Sequence, residues 1–484
     1  MRTRTVSLSV VALTVVAGVL RFATLGRQSF WVDELVTVSL LHHGFDSMLD
    51  RIPGSESTPY AYYVLAWPWT RIFGFGEAGL RSLSALVGTA MVPVAYGAAA
   101  TLVSRRAGVI AAALVAVNPF LVWYSQEARS YALFAFFAAL TVLFFASAVR
   151  GERLSLAGWA ISSSLAIATH YFAIFVVVPE ALWLLARSPR RRPILVASAL
   201  PVALLIAHVP LILDQRHHGE TIRQSRLASR IAGIPKDLVV GYSFPAELAG
   251  SIAAALLVAV GLVLLFRRAA SVPPGAWAAG AIAAFSLVVP LMLVAFGADY
   301  VIARNVIAAI VPAAVCLAGG YAANRAGLSA SVVLCGLSLA ISVSVGVDAR
   351  YGRTDWRGAA RQLGPANVER AIVVTPDIER ELWRLYLPAL RSPQTTSVRV
   401  GEIVVIGLAT QGGFSARAVV PPDTPPRPPP PGFRLAATEH TPTLTLVRYR
   451  SRSTAVRVSL PQLAELRLVP LQAAVFLQGP ARAP

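Results

Sequence analysis

The chain has 484 residues, 56% apolar and 14% charged, with a mean hydropathy of +0.63. A soluble globular protein carries about 25% charge; a large buried core does not account for that deficit, so a water-soluble enzyme is excluded. The net charge of +19 is almost all arginine, with Lys236 the single lysine, and it falls in short clusters between apolar runs; membrane proteins fix their orientation in this way, and nucleic-acid binding is not implied.

Runs of about 20 apolar residues cross the hydrocarbon layer, and because they are continuous rather than alternating they point to helices, not barrel strands. In chain order, about eleven spans fall at 6–25, 80–103, 107–124, 131–149, 154–170, 171–187, 194–213, 247–266, 276–296, 302–322 and 328–346. The first run, Val6 to Leu20, has no evident cleavage site and is expected to stay as a helix. Arg2 and Arg4, Arg105 and Arg106, Arg150 and Arg153, Arg187 to Arg192, Arg267 and Arg268, and Arg325 then share one side. The positive-inside rule makes that side cytoplasmic. A single helix over 154–187 would separate Arg150 and Arg153 from Arg190–Arg192, whereas a hairpin with Thr169-His170-Tyr171 at its tip keeps them together. The expected location is the plasma (inner) membrane, with a cytoplasmic N-terminus. Cys316 and Cys335 lie inside predicted helices and read as core filler.

The outer side collects the loop 26–79, the turn 124–130, the hairpin tip, the loop 214–246, the turn 297–304 and everything after 346. The aromatic run Tyr60 to Trp69 is too short to cross and suits a helix lying at the interface. Residues 347–484 differ in kind. Ala371–Thr375 and Glu402–Gly407 read as short buried strands, with a helix over Ile378–Leu387 between them. This predicts a small extracytoplasmic α/β domain with a stiff Pro-rich segment at 420–432. The last thirty or so residues show no clear pattern.

Chemistry concentrates in the outer connections. Asp33 and Glu34 follow the first span in Ser29-Phe-Trp-Val-Asp-Glu. They read either as a solvated loop start or as a general base for transfer to a hydroxyl, which one positioned carboxylate can serve. Glu127 and Arg129 share the turn Trp123–Tyr131. One reading is a structural ion pair. The other gives Glu127 an acceptor or metal contact and Arg129 a phosphate, which a planar guanidinium meets with two parallel bonds. His170 and Tyr171 stand at the hairpin tip, where the imidazole is either structural or a donor to phosphate or sugar. Arg304 at the mouth of the tenth span either snorkels to headgroups or binds a carrier phosphate. Arg216, Arg223, Arg226, Arg230 and Lys236 on the outside break the positive-inside pattern, so either the topology slips there or the loop faces an anion. Glu180, beside Pro179 within a span, reads as structural.

These motifs, with Thr58-Pro-Tyr-Ala-Tyr-Tyr63, Phe73-Gly-Phe-Gly-Glu-Ala-Gly-Leu-Arg81, Asn118 to Leu133 and Thr169-His-Tyr171, resemble the bacterial protein-O-mannosyltransferase-like glycosyltransferases of the GT-C membrane class. The resemblance is good over 1–190, loose over the later spans and weak in the C-terminal domain, where Asp355-Trp-Arg-Gly-Ala-Ala360 also matches. It implies inverting transfer from a polyprenyl-phosphate sugar to a protein, lipid or glycan acceptor. It matches Asp33 to the catalytic carboxylate, with Glu34 beside it, and brings the donor phosphate to basic residues near Arg129 and Arg304. Relatives often carry His-Pro-Pro where this chain has Ser57-Thr58-Pro59. No cofactor is firmly implied; a divalent metal stays open, since related enzymes differ in needing one. The Arg-heavy, Lys-poor composition suits, by analogy, a mannose or arabinose donor. The alternative is a lipid or sugar transporter or flippase, but transporters tend to show internal repeats and midplane polar sites. Neither stands out here.

Overall fold

The computed structural model describes residues 2–152, 154–223, 225–375, 380–387, 389–408, 410–411, 418–419, 426–468 and 472–480. The side chains of 2–7, 218, 219, 221, 380, 381, 410, 411, 418 and 419 also lie outside the description, as do Arg153 and the Pro-rich residues 420–425. The chain divides into two compact units, Met1–Leu25 with Val36–Ser344, and Gly26–Leu35 with Val345–Pro484.

The first unit is helical: α1 (Arg2–Phe22), α2 (Val32–His42, crossing the division), α3 (Phe45–Ser55), α4 (Ala61–Phe73), α5 (Glu77–Leu102), α6 (Arg105–Val117), α7 (Pro119–Ser125), α8 (Tyr131–Val149), α9 (Ser155–Thr169) and α10 (Ile174–Arg187). It continues through α11 (Arg191–Ala207), α12 (Val209–Gln215), α13 (Glu220–Arg223), α14 (Leu227–Val240), α15 (Glu247–Arg267), α16 (Pro274–Val294), α17 (Ile310–Tyr321) and α18 (Arg325–Val347). Each of the eleven apolar stretches expected to span is helical. Among the described residues six helices are long and apolar enough to cross a membrane, and up to eight if the bent pairs α6–α7 and α11–α12 each count as one span. The chain is a multi-pass membrane protein. Residues 154–187 form two short helices that break at His170, as a hairpin requires.

Small residues let the helices meet closely. A Cβ on Gly320 of α17 would lie 2.0 Å from the carbonyl oxygen of Gly261 on α15, so the two backbones touch there. Glu180 on α10 accepts from Trp159 Nε1 at 2.8 Å and Thr141 Oγ1 at 3.1 Å, a satisfied structural acid. At one end of this unit the basic turns bond to each other. Arg106 donates to the Asn324 carbonyl and Arg268 to that of Ala323, both at 3.2 Å, while Arg150 donates to that of Thr101 at 2.5 Å.

The second unit carries β1 (Arg370–Thr375), β2 (Ser397–Val400), β3 (Glu402–Leu408), β4 (Thr410–Gln411), β5 (Ala418–Val419), β6 (Phe433–His440), β7 (Leu444–Ser451), β8 (Val456–Ser459) and β9 (Ala474–Gln478). Its helices are α19 (Trp356–Leu363), α20 (Arg380–Tyr386) and α21 (Leu460–Glu465). The main sheet has the order β6-β7-β3-β1-β9; β1 and β3 are parallel, with Arg370 opposite Glu402, and the other pairs are antiparallel. Both central strands are buried along their whole length, as their unbroken Val/Ile runs demand. Tyr449, Val447, Ile403 and Val373 face Val458 and Leu463 of the β8–α21 segment. Trp356 of α19 meets Trp383 of α20 edge-on, 5.3 Å between ring centres.

Candidate functional site

In the helical unit the site begins at a broken helix. Pro119 has no N–H to continue α6, so the chain bends 56° between α6 and α7. Asn118 covers the break, its Oδ1 accepting from Leu121 N at 2.8 Å and its Nδ2 donating to the Leu238 carbonyl at 2.9 Å. The α6 carbonyls stranded by the break need donors. Arg21, fully buried in α1, supplies them: it donates to the carbonyls of Ala116 (2.9 Å) and Val115 (3.3 Å), and to Ser125 Oγ (3.1 Å). Gln126 then ties the following turn to the Leu20 carbonyl at 3.0 Å and to Thr24 Oγ1 at 2.8 Å. The turn bearing Glu127 and Arg129 is thus anchored from beneath.

From the other side Arg129 is gripped by a residue the sequence reading missed. Both of its terminal nitrogens donate to the Glu56 carboxylate, at 2.5 and 2.6 Å, and Nη1 also reaches Tyr63 OH (3.1 Å) and Thr37 Oγ1 (3.3 Å). The Arg129 and Glu56 side chains are only 7% and 1% exposed. Arg129 is therefore a paired, neutralised cation, and the pair joins α2, the end of α3 and α4 to the 126–130 turn. Glu56 lies two residues before the Thr58-Pro59 motif, but nothing local in sequence assigns it a partner 73 positions away.

Arg304 stands in the 3₁₀ turn Ala303–Ala309 with its guanidinium carbon 5.5 Å from the Tyr131 ring centre. His170 lies beside it, stacked on Phe134 at 4.6 Å. Burial first, and then the Arg304 charge, push this imidazole down to about 3, so it is neutral at pH 7. Its Nδ1 accepts from Phe172 N at 3.2 Å, which leaves the proton on Nε2 for the Asn305 side chain. Asn305 in turn donates to the Tyr300 carbonyl at 2.8 Å. His170 thus orients the Arg304–Asn305 turn. Tyr242 is pinned against Tyr124, hydroxyl to hydroxyl at 2.5 Å, and its carbonyl accepts from Lys236. Burial holds the Tyr242 phenol protonated, and both Arg304 and the buried Glu127 act on it electrostatically. Glu127, Arg304, His170 and Arg129 therefore gather around one point. Tyr171 faces a different connection: it donates to Gln215 Oε1 at 2.7 Å, and Gln215 donates to the Thr58 carbonyl at 3.2 Å.

Among the described residues of loop 214–246, Lys236 and Arg230 form ion pairs with acids. Lys236 meets Glu247 at 2.8 Å, and Arg230 grips Asp299 with two bonds of 2.8 and 2.6 Å. The hydrogen bonds from Arg230 hold the Asp299 carboxyl below its ordinary value. A depressed acid contributes stability above its unfolded pKa, about 3.9, and loses it as the pH falls through the folded value. The Tm advantage of wild type over Arg230→Gln should therefore be full at pH 6 and shrink once the pH falls below about 4. Thermal unfolding in detergent across that range tests it; a constant difference would show that the ion pair is not its source.

In the second unit, Asp33 and Glu34 occupy the first turn of α2, where aligned amides favour negative charge. Their roles separate. Glu34 is fully buried and accepts from the Trp31 backbone N–H at 3.3 Å, half of a capping box, whereas Asp33 stays partly exposed. Among the described residues no three His, Cys, Asp or Glu side chains group as a metal-binding set.

Residues 57–213 match the family described as dolichyl-phosphate-mannose-protein mannosyltransferase. No curated protein matches the chain in sequence. Among solved structures, ArnT from Cupriavidus metallidurans bound to undecaprenyl phosphate aligns with a TM-score of 0.50 at 12% identity, over 91% of this chain and 97% of that one. Its apo state gives 0.50 at 14% identity, over 78% and 84%. The oligosaccharyltransferase AglB from Archaeoglobus fulgidus aligns with a TM-score of 0.47 at 12% identity over 74% of this chain, which spans 58% of AglB's length. At such identities the likeness is one of fold. Residues 57–213 are thus similar to the dolichyl-phosphate-mannose-protein mannosyltransferase family, and the chain shares the fold of ArnT.

Proposed function

We propose that this protein is an inverting glycosyltransferase that moves a sugar, of the mannose or arabinose type, from a polyprenyl-phosphate donor to an acceptor hydroxyl on the outer face of the plasma membrane. One observation carries the reading: Arg304, His170, Asn305 and Glu127 gather at the end of the helical unit away from the arginine turns. The helix α8 separates Tyr131 from Arg150, and α17 separates Arg304 from Asn324. If the arginine end is cytoplasmic, the gathered residues face outward. The undecaprenyl phosphate held by the fold-related ArnT fits a lipid-phosphate ligand here.

In this reading Asp33 takes the proton of the acceptor hydroxyl as its oxygen attacks the anomeric carbon opposite the phosphate. The bond from that carbon to the phosphate oxygen breaks, and the phosphate stays on its lipid. Arg304 offsets the charge that develops there, held in place by His170 and Asn305, so no reorganisation is needed during reaction. Phosphate is already a good leaving group, so one carboxylate suffices, unlike glycoside hydrolysis, which uses two. The partial exposure of Asp33 and the capping role of Glu34 favour Asp33 as the base. Purified protein in vesicles should consume one member of a panel of polyprenyl-phosphate sugars and release the polyprenyl phosphate. No consumption of any donor, with cell-envelope extract supplied as acceptor, would reject the reading.

A further inference from the structure

We propose that the C-terminal unit serves as a positioning clamp for the catalytic carboxylate, with Asp355, Arg357 and Tyr386 as the positioning residues; this rests on the role proposed for Asp33. The clamp lies within one compact unit, because Gly26–Leu35 packs with Val345–Pro484. Ser29, fully buried, donates to Asp355 Oδ1 at 3.2 Å and accepts from Arg357 N at 3.0 Å. The Arg357 guanidinium donates to the carbonyls of Gly26 (2.8 Å) and Arg27 (2.7 Å). Tyr386 OH accepts from Phe30 N at 2.7 Å. Arg353 N donates to Gln28 Oε1 at 2.9 Å. Every residue from Gly26 to Phe30 is thereby held by side chains or backbone more than 300 positions later.

The holding groups are themselves rigid. Asp355 caps α19 through Gly358 N at 2.9 Å, and a Cβ on Gly358 would lie 2.0 Å from Asp355 Oδ2, so glycine is needed beneath the cap. Tyr386 sits three residues after Trp383 on α20, whose fully buried ring meets the buried Trp356. The clamp ends where α2 begins. With Phe30 N held by Tyr386 and Trp31 N by Glu34, the backbone enters α2 along one path, and that path sets where Asp33 points. Placement matters because a shift of about 1 Å in a reacting group costs about 100-fold in rate. The assignment gives the C-terminal unit a catalytic purpose that does not require it to touch substrate.

The test uses the full-length protein. Tyr386→Phe removes a single oxygen and no packing. It should lower kcat about 10-fold or more with donor KM unchanged and Tm nearly unchanged, while amide exchange over residues 27–34 accelerates. Asp355→Ala should behave likewise. Asp355→Asn should recover most of the rate, since asparagine caps a helix about as well and still accepts from Ser29. Wild-type turnover with an undiminished kcat in Tyr386→Phe and Asp355→Ala would overturn the clamp alone. A wild type inactive on every donor would instead remove the reading on which the clamp rests, and unaltered exchange over 27–34 would deny the clamp on structural grounds.

Discussion

Replacing Asp33 with alanine is expected to reduce sugar transfer by about 100- to 10,000-fold, the range that a positioned general base supplies. The protein should remain folded and inserted, because Asp33 is partly exposed and the capping of α2 falls to Glu34. Asp33→Asn should lose nearly as much, because the amide matches the shape and lacks the basic oxygen. Donor binding should survive in both variants, since the cationic groups near Arg304 are untouched. Single-turnover release of polyprenyl phosphate separates these effects: a small loss in Asp33→Asn would move the base elsewhere. Glu34→Gln gives the opposite control. Its amide oxygen still accepts from Trp31 N, so stability should fall only by the charge lost from the helix N-terminus, and rate only as far as α2 shifts.

The second large effect is expected at Glu56. Removing it leaves the Arg129 guanidinium buried at 7% exposure without its carboxylate. Breaking a buried pair by deleting one partner costs about 3–5 kcal/mol, much of it from the orphaned charge, whereas deleting both partners can be nearly neutral. Glu56→Ala should therefore unfold at clearly lower temperature, and Glu56→Ala combined with Arg129→Met should recover most of the loss. The double-mutant cycle reads the coupling directly. A double variant whose loss equals the sum of the losses of Glu56→Ala and Arg129→Met would mean that the two groups act independently. Arg129→Lys should resemble a loss more than a conservative change, because an ammonium cannot match both carboxylate oxygens at 2.5 and 2.6 Å while also reaching Tyr63 and Thr37.

Arg129 also shows where chain order misleads. In the turn Glu127–Arg129 the two charges are two residues apart and invite pairing with each other or with a ligand. In the structure Arg129 pairs instead with Glu56, and Arg304 is the cation beside His170. His170 was legible as a residue at the hairpin tip, but its neutrality was not: that follows from burial and from Arg304, 134 positions later. The arginines of loop 214–246 look like an anion site in sequence, yet Arg230 is committed to Asp299, which lies near no part of that loop in the chain.

What the sequence determined by itself is everything set by local pattern. Apolar length fixed the membrane helices and unbroken Val/Ile runs fixed β1 and β3 as buried strands, whereas the break at Asn118-Pro119, inside a stretch expected to be one span over 107–124, shows only in the structure. Only the tertiary structure decided the pairings that cost loop closure and are repaid by burial: Glu56 with Arg129, Arg21 with the α6 carbonyls, Ser29 with Asp355, and β9, from a stretch with no periodicity, against β1. A polar group leaves no periodic trace of its partner, because the buried donor or acceptor needs a bond and not a particular neighbour in the chain.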